Sequence, residues 1–197
     1  MQNNIPLIFL FFSSMITENL IFARAIGIEE INNRTSSIRK IVLHSLIVLF
    51  ICLPSVLISY PVKYYLLGAK NWIPVRGLVV VLAVCLCYLV EDQIFRKKNI
   101  YKKYGISHSS ALYLSVSCTS VAAVLYSLQF TSILRCIVYV AGSCIGVMFA
   151  MLLLRSGKER LEFSNVSKAF QGLPITLIYI GILSMAIYGL VGHKLLA

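Results

Sequence analysis

The sequence predicts an all-α membrane protein of six transmembrane helices, arranged as two inverted three-helix repeats with broken first and fourth helices. Three observations predict it. Six apolar stretches, each long enough to cross a bilayer, fill nearly all of the 197 residues. Lys and Arg gather in every second gap between those stretches. Polar residues interrupt the first and fourth stretches and leave the others cleaner. The repeats fall at about 1–95 and 105–197 of a single domain, 1–197.

The stretches run Ile5–Phe22, Ile41–Tyr60, Trp72–Val90, Ala111–Phe130, Ile133–Leu154 and Pro174–Val191. A hydrocarbon core of ~30 Å needs about 20 helical residues. Strand-like alternation is absent, and a spanning segment must satisfy its own backbone hydrogen bonds, so each stretch reads as a helix. At 59% hydrophobic and 13% charged, the chain has too much apolar surface for a soluble core, and its gaps leave no room for a soluble domain.

Orientation follows from charge. The first gap holds Arg24, Arg34, Arg39 and Lys40. The third holds Arg96, Lys97, Lys98, Lys102 and Lys103, and the fifth Arg155, Lys158, Arg160 and Lys168. Only Lys63, Lys70, Arg76, Arg135 and Lys194 lie on the other side. The positive-inside rule puts the first set in the cytoplasm and both termini outside, in a bacterial inner (plasma) membrane. No Lys or Arg precedes Arg24, so the positive region of a cleavable signal is missing. The net charge of +11 belongs to helix ends facing anionic lipid, not to a nucleic-acid surface.

Each stretch has its own reading. The first carries Glu18 and Asn19, then Arg24 and Gly27 beyond them. The second holds His44 one turn inside, an interfacial position where a side chain snorkels. The third opens on an interfacial Trp72 and is followed by Asp92, four residues before Arg96. The fourth runs through Ser115, Ser117, Cys118, Thr119 and Ser120 between Tyr113 and Tyr126. The fifth and sixth are plain spans, with His193 solvated beyond the sixth. Small polar residues permit close helix packing. Polar groups at membrane depth also mark sites, and unusual segments at matching places in two halves mark the broken helices of inverted repeats. Both readings stand for the fourth stretch. Three helices per half, an odd number, inverts the second half. Glu18 is the most deeply placed carboxylate, and Glu18 and Asn19 are the ion-path candidates.

The six cysteines are Cys52, Cys85, Cys87, Cys118, Cys136 and Cys144. Most read as small core residues. None has zinc-site spacing, and Cys85 and Cys87 point to different faces of one helix. The Glu29-Glu30-Ile31-Asn32-Asn33-Arg34 run matches the EExxxR pattern of intramembrane CAAX-type proteases. No histidine here has the phenylalanine four residues earlier that such enzymes need, so the run reads as a solvated helix cap.

Three stretches resemble the membrane-subunit family shared by Rnf complexes and sodium-pumping NADH:quinone reductases, in its RnfA/NqrE branch. Glu18-Asn19-Leu20-Ile21-Phe22-Ala23-Arg24-Ala25-Ile26-Gly27-Ile28 resembles that branch's asparagine pair leading to Leu-Gly-Leu. Leu114-Ser115-Val116-Ser117-Cys118 resembles its Ile-Thr-Thr-Asn-Cys motif. Gly157-Lys158-Glu159-Arg160-Leu161, Asn165-Val166, Phe170-Gln171-Gly172 and Gly181-Ile182-Leu183-Ser184-Met185-Ala186 resemble the tail series at nearly unchanged spacing. The resemblance implies a protein that stands beside a related, oppositely oriented one in a hetero-oligomer. It implies a [2Fe–2S] cluster shared between the two near the midplane, with two cysteines from each. Electrons would cross the membrane there, coupled to ion movement. The chain itself would be a non-catalytic subunit of a translocase-type oxidoreductase.

The sequence departs from that pattern at the ligands. Cys118 matches one of the family's cysteines, while Glu29 stands where the other would be. A carboxylate is a hard ligand and a weak substitute for thiolate at iron. Three readings follow: Glu29 as an unusual ligand, a cysteine recruited from a neighbouring helix, or the fold kept and the cluster lost. Two other function classes remain beside the electron-transport one. One is a small-molecule-binding membrane component of a transporter, and the other a redox-inactive structural paralogue.

Overall fold

A computed structural model describes residues 6–27, 38–97, 117–162 and 171–191. The described chain is helical, with six α-helices. They are α1 (Leu7–Met15), α2 (Ile38–Pro61), α3 (Gly68–Lys97), α4 (Cys118–Ser127), α5 (Ile133–Glu162) and α6 (Leu173–Val191). A π-helical stretch, Val62–Leu67, joins α2 to α3. Three helical runs are long and apolar enough to span a membrane: Ile41–Tyr65, Val75–Ile94 and Ile133–Arg160. Two shorter apolar helices, Cys118–Ser127 and Leu173–Gly189, accompany them.

Helix α5 is the centre of the bundle. Helices α1 and α2 lie along it, α4 packs against α2, α3 and α5, and α6 rests on α5. The buried core draws Ile51, Cys52 and Val56 from α2, Val80 and Val84 from α3, and Tyr139, Val140, Val147, Met151 and Leu154 from α5. The outward faces stay apolar: Phe50, Leu78, Leu89 and Met185 are exposed, as lipid contact allows.

The contact between α1 and α5 depends on small residues. Gly142 and Gly146 lie one turn apart on α5, and α1 crosses directly over them. A Cβ at Gly142 would run into Ser14 Oγ, and one at Gly146 would stand 2.6 Å from Met15 O. Between membrane helices there is little hydrophobic drive, so backbones hold together by close packing of this kind.

Two helices run further than the apolar stretches suggest. Helix α3 continues to Lys97, and α5 to Glu162. Nothing in Glu91-Asp92-Gln93-Ile94-Phe95-Arg96-Lys97 breaks a helix, so α3 carries on past its last apolar run. The first stretch is shorter than its composition suggests. Helix α1 stops at Met15, and Ile16–Gly27 is a chain of turns.

The ends of α2 and α4 meet. The Lys63 ammonium donates to Leu128 O, and to Phe130 O at 3.2 Å. The Tyr60 hydroxyl donates to Thr131 O at 2.6 Å. A cation at the carbonyl end of α4 is matched to that end's partial negative charge. The second and fourth gaps therefore share one side of the bundle, as alternating spans require.

Replacing Gly146 by valine should push α1 off α5 and lower stability by roughly 1–3 kcal/mol. Gly181 has open space around its Cα, so Gly181→Val should change little. Thermal unfolding of the two variants in detergent checks the contrast.

Candidate functional site

The turns at Ile16–Gly27 expose backbone groups in the middle of an apolar bundle. Such groups must find partners, because hydrocarbon supplies none. Backbone bonds take up several of them, from Glu18 N to Ser13 O, Ala23 N to Asn19 O, Ala25 N to Ile21 O and Ile26 N to Leu20 O, and the wholly buried Asn19 side chain ties the segment to its neighbours. Its Nδ2 donates to Met15 O at 3.0 Å, capping the end of α1, and to Gly146 O of α5 at 2.7 Å. Its Oδ1 accepts from Ile21 N at 3.0 Å. Glycine at 146 leaves room for the amide to approach. One residue earlier, Glu18 Oε2 accepts from the Tyr139 hydroxyl at 3.1 Å.

The far end of the break is tied to α6 and α4. Ser184 Oγ donates to Phe22 O at 2.7 Å. Arg24 lies with its guanidinium carbon 3.7 Å from the centre of the Tyr126 ring. The backbone turns at Ala25 (φ 54°) and at Gly27 (φ 89°), both in the left-handed region. Gly27 also presses on α4, where a Cβ would collide with Thr119 Oγ1. The first broken segment and the start of α4 thus form one unit.

Helix α4 begins at this junction. Ser117 is its N-cap: the side chain accepts from Ser120 N at 3.3 Å, and Ser120 Oγ donates to Ser117 O at 2.8 Å. Thr119 and Ser120 turn inward and are buried, while Cys118 is exposed on the flank. The other thiols sit elsewhere. Cys52, Cys87, Cys136 and Cys144 are buried inside helices, and Cys85 is half-buried. Cys52 approaches Ser120 O at 3.6 Å and neighbours Cys144, as a small core residue does.

The sequence-predicted residues separate accordingly. Cys118 is the first residue of α4, and Glu18 and Asn19 lie against α5 in the first broken segment. Asn19 acts as its pin. Glu29 lies outside the described residues, as do Ser115 and His193. Arg24, counted with the first cytoplasmic gap, lies over the Tyr126 ring of α4. The reason is the early end of α1: the chain leaves the helix at Met15, so residues 18–27 still thread the bundle.

Sequence reading missed Glu91. It ended the third stretch at Val90 and weighed only Asp92. Because α3 runs on, Glu91 falls inside the span Val75–Ile94. Both its carboxylate oxygens are buried with no hydrogen-bond partner among the described residues. A carboxyl so placed is costly in its charged form, and an unpaired acid inside an apolar span is unusual. The signal available in the sequence was the unbroken helical composition after Val90.

No family model matches the chain. Curated relatives do match, and from end to end. The A subunit of the Na(+)-translocating ferredoxin:NAD(+) oxidoreductase complex of Acetobacterium woodii is 24% identical over 192 residues, covering 96% of this chain and 98% of the relative. The A subunit of the ion-translocating oxidoreductase complex of Buchnera aphidicola is 24% identical over 187 residues, 93% of this chain and 95% of the relative. Its counterpart from an Azoarcus species is 28% identical over 141 residues, 68% of this chain and 70% of its own. The chain is a divergent relative of these A subunits. Its similarity to the Acetobacterium and Buchnera proteins spans nearly the whole chain.

Asn19→Ala should leave Ile21 N and Met15 O without the partner each has in Asn19. The expected loss is about 2–4 kcal/mol of stability, since an unmade buried hydrogen bond costs ~1–3 kcal/mol. Asn19→Asp should not rescue it, because the two donors are gone. Unfolding midpoints in detergent decide this.

Proposed function

We propose that this chain is a membrane subunit of an ion-translocating electron-transport complex, standing beside a related subunit of opposite orientation. The carrying observation is the junction of the broken first segment with α4. There unwound backbone, the Glu18 carboxylate and the Arg24 guanidinium lie against α4 and α5, and the exposed Cys118 opens α4. An isolated monomer in lipid leaves Arg24 and Cys118 facing hydrocarbon. A neighbouring subunit covers that flank. End-to-end similarity to A subunits of such complexes supports the same reading. Both termini lie on the outer face of a bacterial inner membrane in this proposal, from the distribution of Lys and Arg.

The donor set falls short of a standard shared [2Fe–2S] cluster. Such a cluster takes four thiolates, two from each of the paired proteins. Cys118 is one exposed thiol at the matching position. At position 29 stands a carboxylate, and the remaining cysteines are held in helix packing. These residues do not fit the four-thiolate group, and no electron step is assigned to it. Cys118 is the residue on which any redox role of this chain depends.

The chain's own contribution is the frame and the acids. Asn19 holds the break open at mid-depth without leaving bare backbone. Glu18 lies in the break and Glu91 within α3, and both serve an ion path. Broken backbone and buried carboxyls at mid-depth are the usual parts of such a path.

Purification of the tagged chain from native membranes tests the assignment. It should bring down related membrane subunits together with flavin-bearing redox subunits, and expression of the single gene should give unstable protein. An ATP-driven module as the co-purifying partner would replace this reading with a transporter component. In the purified complex, Glu91→Gln should reduce ion transport at least tenfold with assembly intact. Glu29→Cys should raise bound iron and sulfide, because thiolate suits iron better than carboxylate.

A further inference from the structure

Tyr139 is a fully buried phenol with one proton to give, and two oxygens border it. One is Glu18 Oε2, which receives that proton at 3.1 Å. The other is Ser143 Oγ, one turn further along α5 and next to the phenol hydroxyl. Ser143 is wholly buried, and its hydroxyl has no hydrogen-bond partner among the described residues. A buried hydroxyl in this state calls for a reason.

The phenol ring itself is held in place. It packs against Phe130, with centroids 5.4 Å apart, so only its O–H can turn. Among the described residues, Tyr139 on α5 donates to Glu18, and Arg24 of the same segment lies near enough to act on the Tyr139 hydroxyl. Tyr126 of α4 sits beneath the Arg24 guanidinium.

We propose that Glu18, Tyr139 and Ser143 form a proton-binding site with two hydrogen-bonding states. In the first state Glu18 is ionised, and the Tyr139 O–H donates to it while the Ser143 hydroxyl waits. In the second state a proton from water has bonded to a Glu18 oxygen. The new carboxyl O–H donates to the phenol oxygen, and the Tyr139 O–H turns to Ser143 Oγ. One O–H bond forms at Glu18, none is lost from the protein, and no electrons move. The spare hydroxyl is the acceptor of the second state.

This inference deepens the reading of Glu18 as an ion-path acid and rests on it only for its role in transport. Infrared difference spectra of the whole complex in liposomes, taken across a pH series, test it. A protonated-carboxyl band should appear as pH falls and be absent from Glu18→Gln. A hydrogen bond that is made to one protonation state favours that state. Tyr139→Phe removes the donor to the ionised form, so its band should appear at higher pH. Ser143→Ala removes the acceptor of the neutral arrangement, so its band should appear at lower pH. Each displacement should be about one pH unit.

Displacement of both variants in the same direction would overturn the two-state arrangement, as would a band that survives in Glu18→Gln. Transport lost in Glu18→Gln with no titrating band overturns this inference and leaves the ion-path reading. A titrating band with transport untouched supports the proton site and removes that reading.

Discussion

A helix broken inside an apolar bundle has an immediate problem: the freed N–H and C=O groups have no water to turn to. In this chain backbone bonds inside the break meet part of that need, and one side chain ties the break to the bundle. Asn19 spends both amide hydrogens and its oxygen on backbone, joining the end of α1, the start of the break and the middle of α5. The arrangement needs Gly146 on the receiving side, since any larger residue would hold the amide away. Gly142 and Gly146 therefore serve two ends at once. They let α1 approach α5, and they expose the carbonyl that anchors the break.

With that anchor in place the rest of the segment follows. Glu18 is delivered to Tyr139, Phe22 to Ser184 and Gly27 to Thr119, each on a different part of the bundle. The backbone passes through the left-handed region at Ala25 and Gly27, and Gly27 lies against Thr119 of α4. Helix α4 can then begin inside the bundle, capped by its own Ser117 and closed at the far end by Lys63 and Tyr60. Among the described residues, the first broken segment gathers several of the buried polar contacts, while many outward-facing side chains are large and apolar.

Much of this was legible in the sequence, for physical reasons. The apolar stretches declare helices because spanning chains have few alternatives. Glu18 and Asn19 stand out because a carboxylate and an amide are expensive among Leu, Ile and Phe. The junction's geometry was not legible. Nothing local says that α1 ends at Met15, because Ile16 and Thr17 are compatible with a helix and the stop is imposed by Asn19 reaching α5, 127 residues away in sequence. Glu91 was missed because an apolar count ends where the first charge appears, whereas a helix ends only where its hydrogen bonding fails. Tyr139 and Ser143 looked like packing residues until the contact with Glu18 gave them a role.

Backbone hydrogen exchange in the membrane-embedded complex tests the central claim most directly. The amides of Ile21, Ala23, Ala25 and Ile26 are all bonded within or beside the break. If Asn19 pins that break, these amides exchange slowly in the native protein and lose their protection together in Asn19→Ala, with the core of α5 unaffected. Rapid exchange in the native protein, or protection that survives Asn19→Ala, would contradict the account.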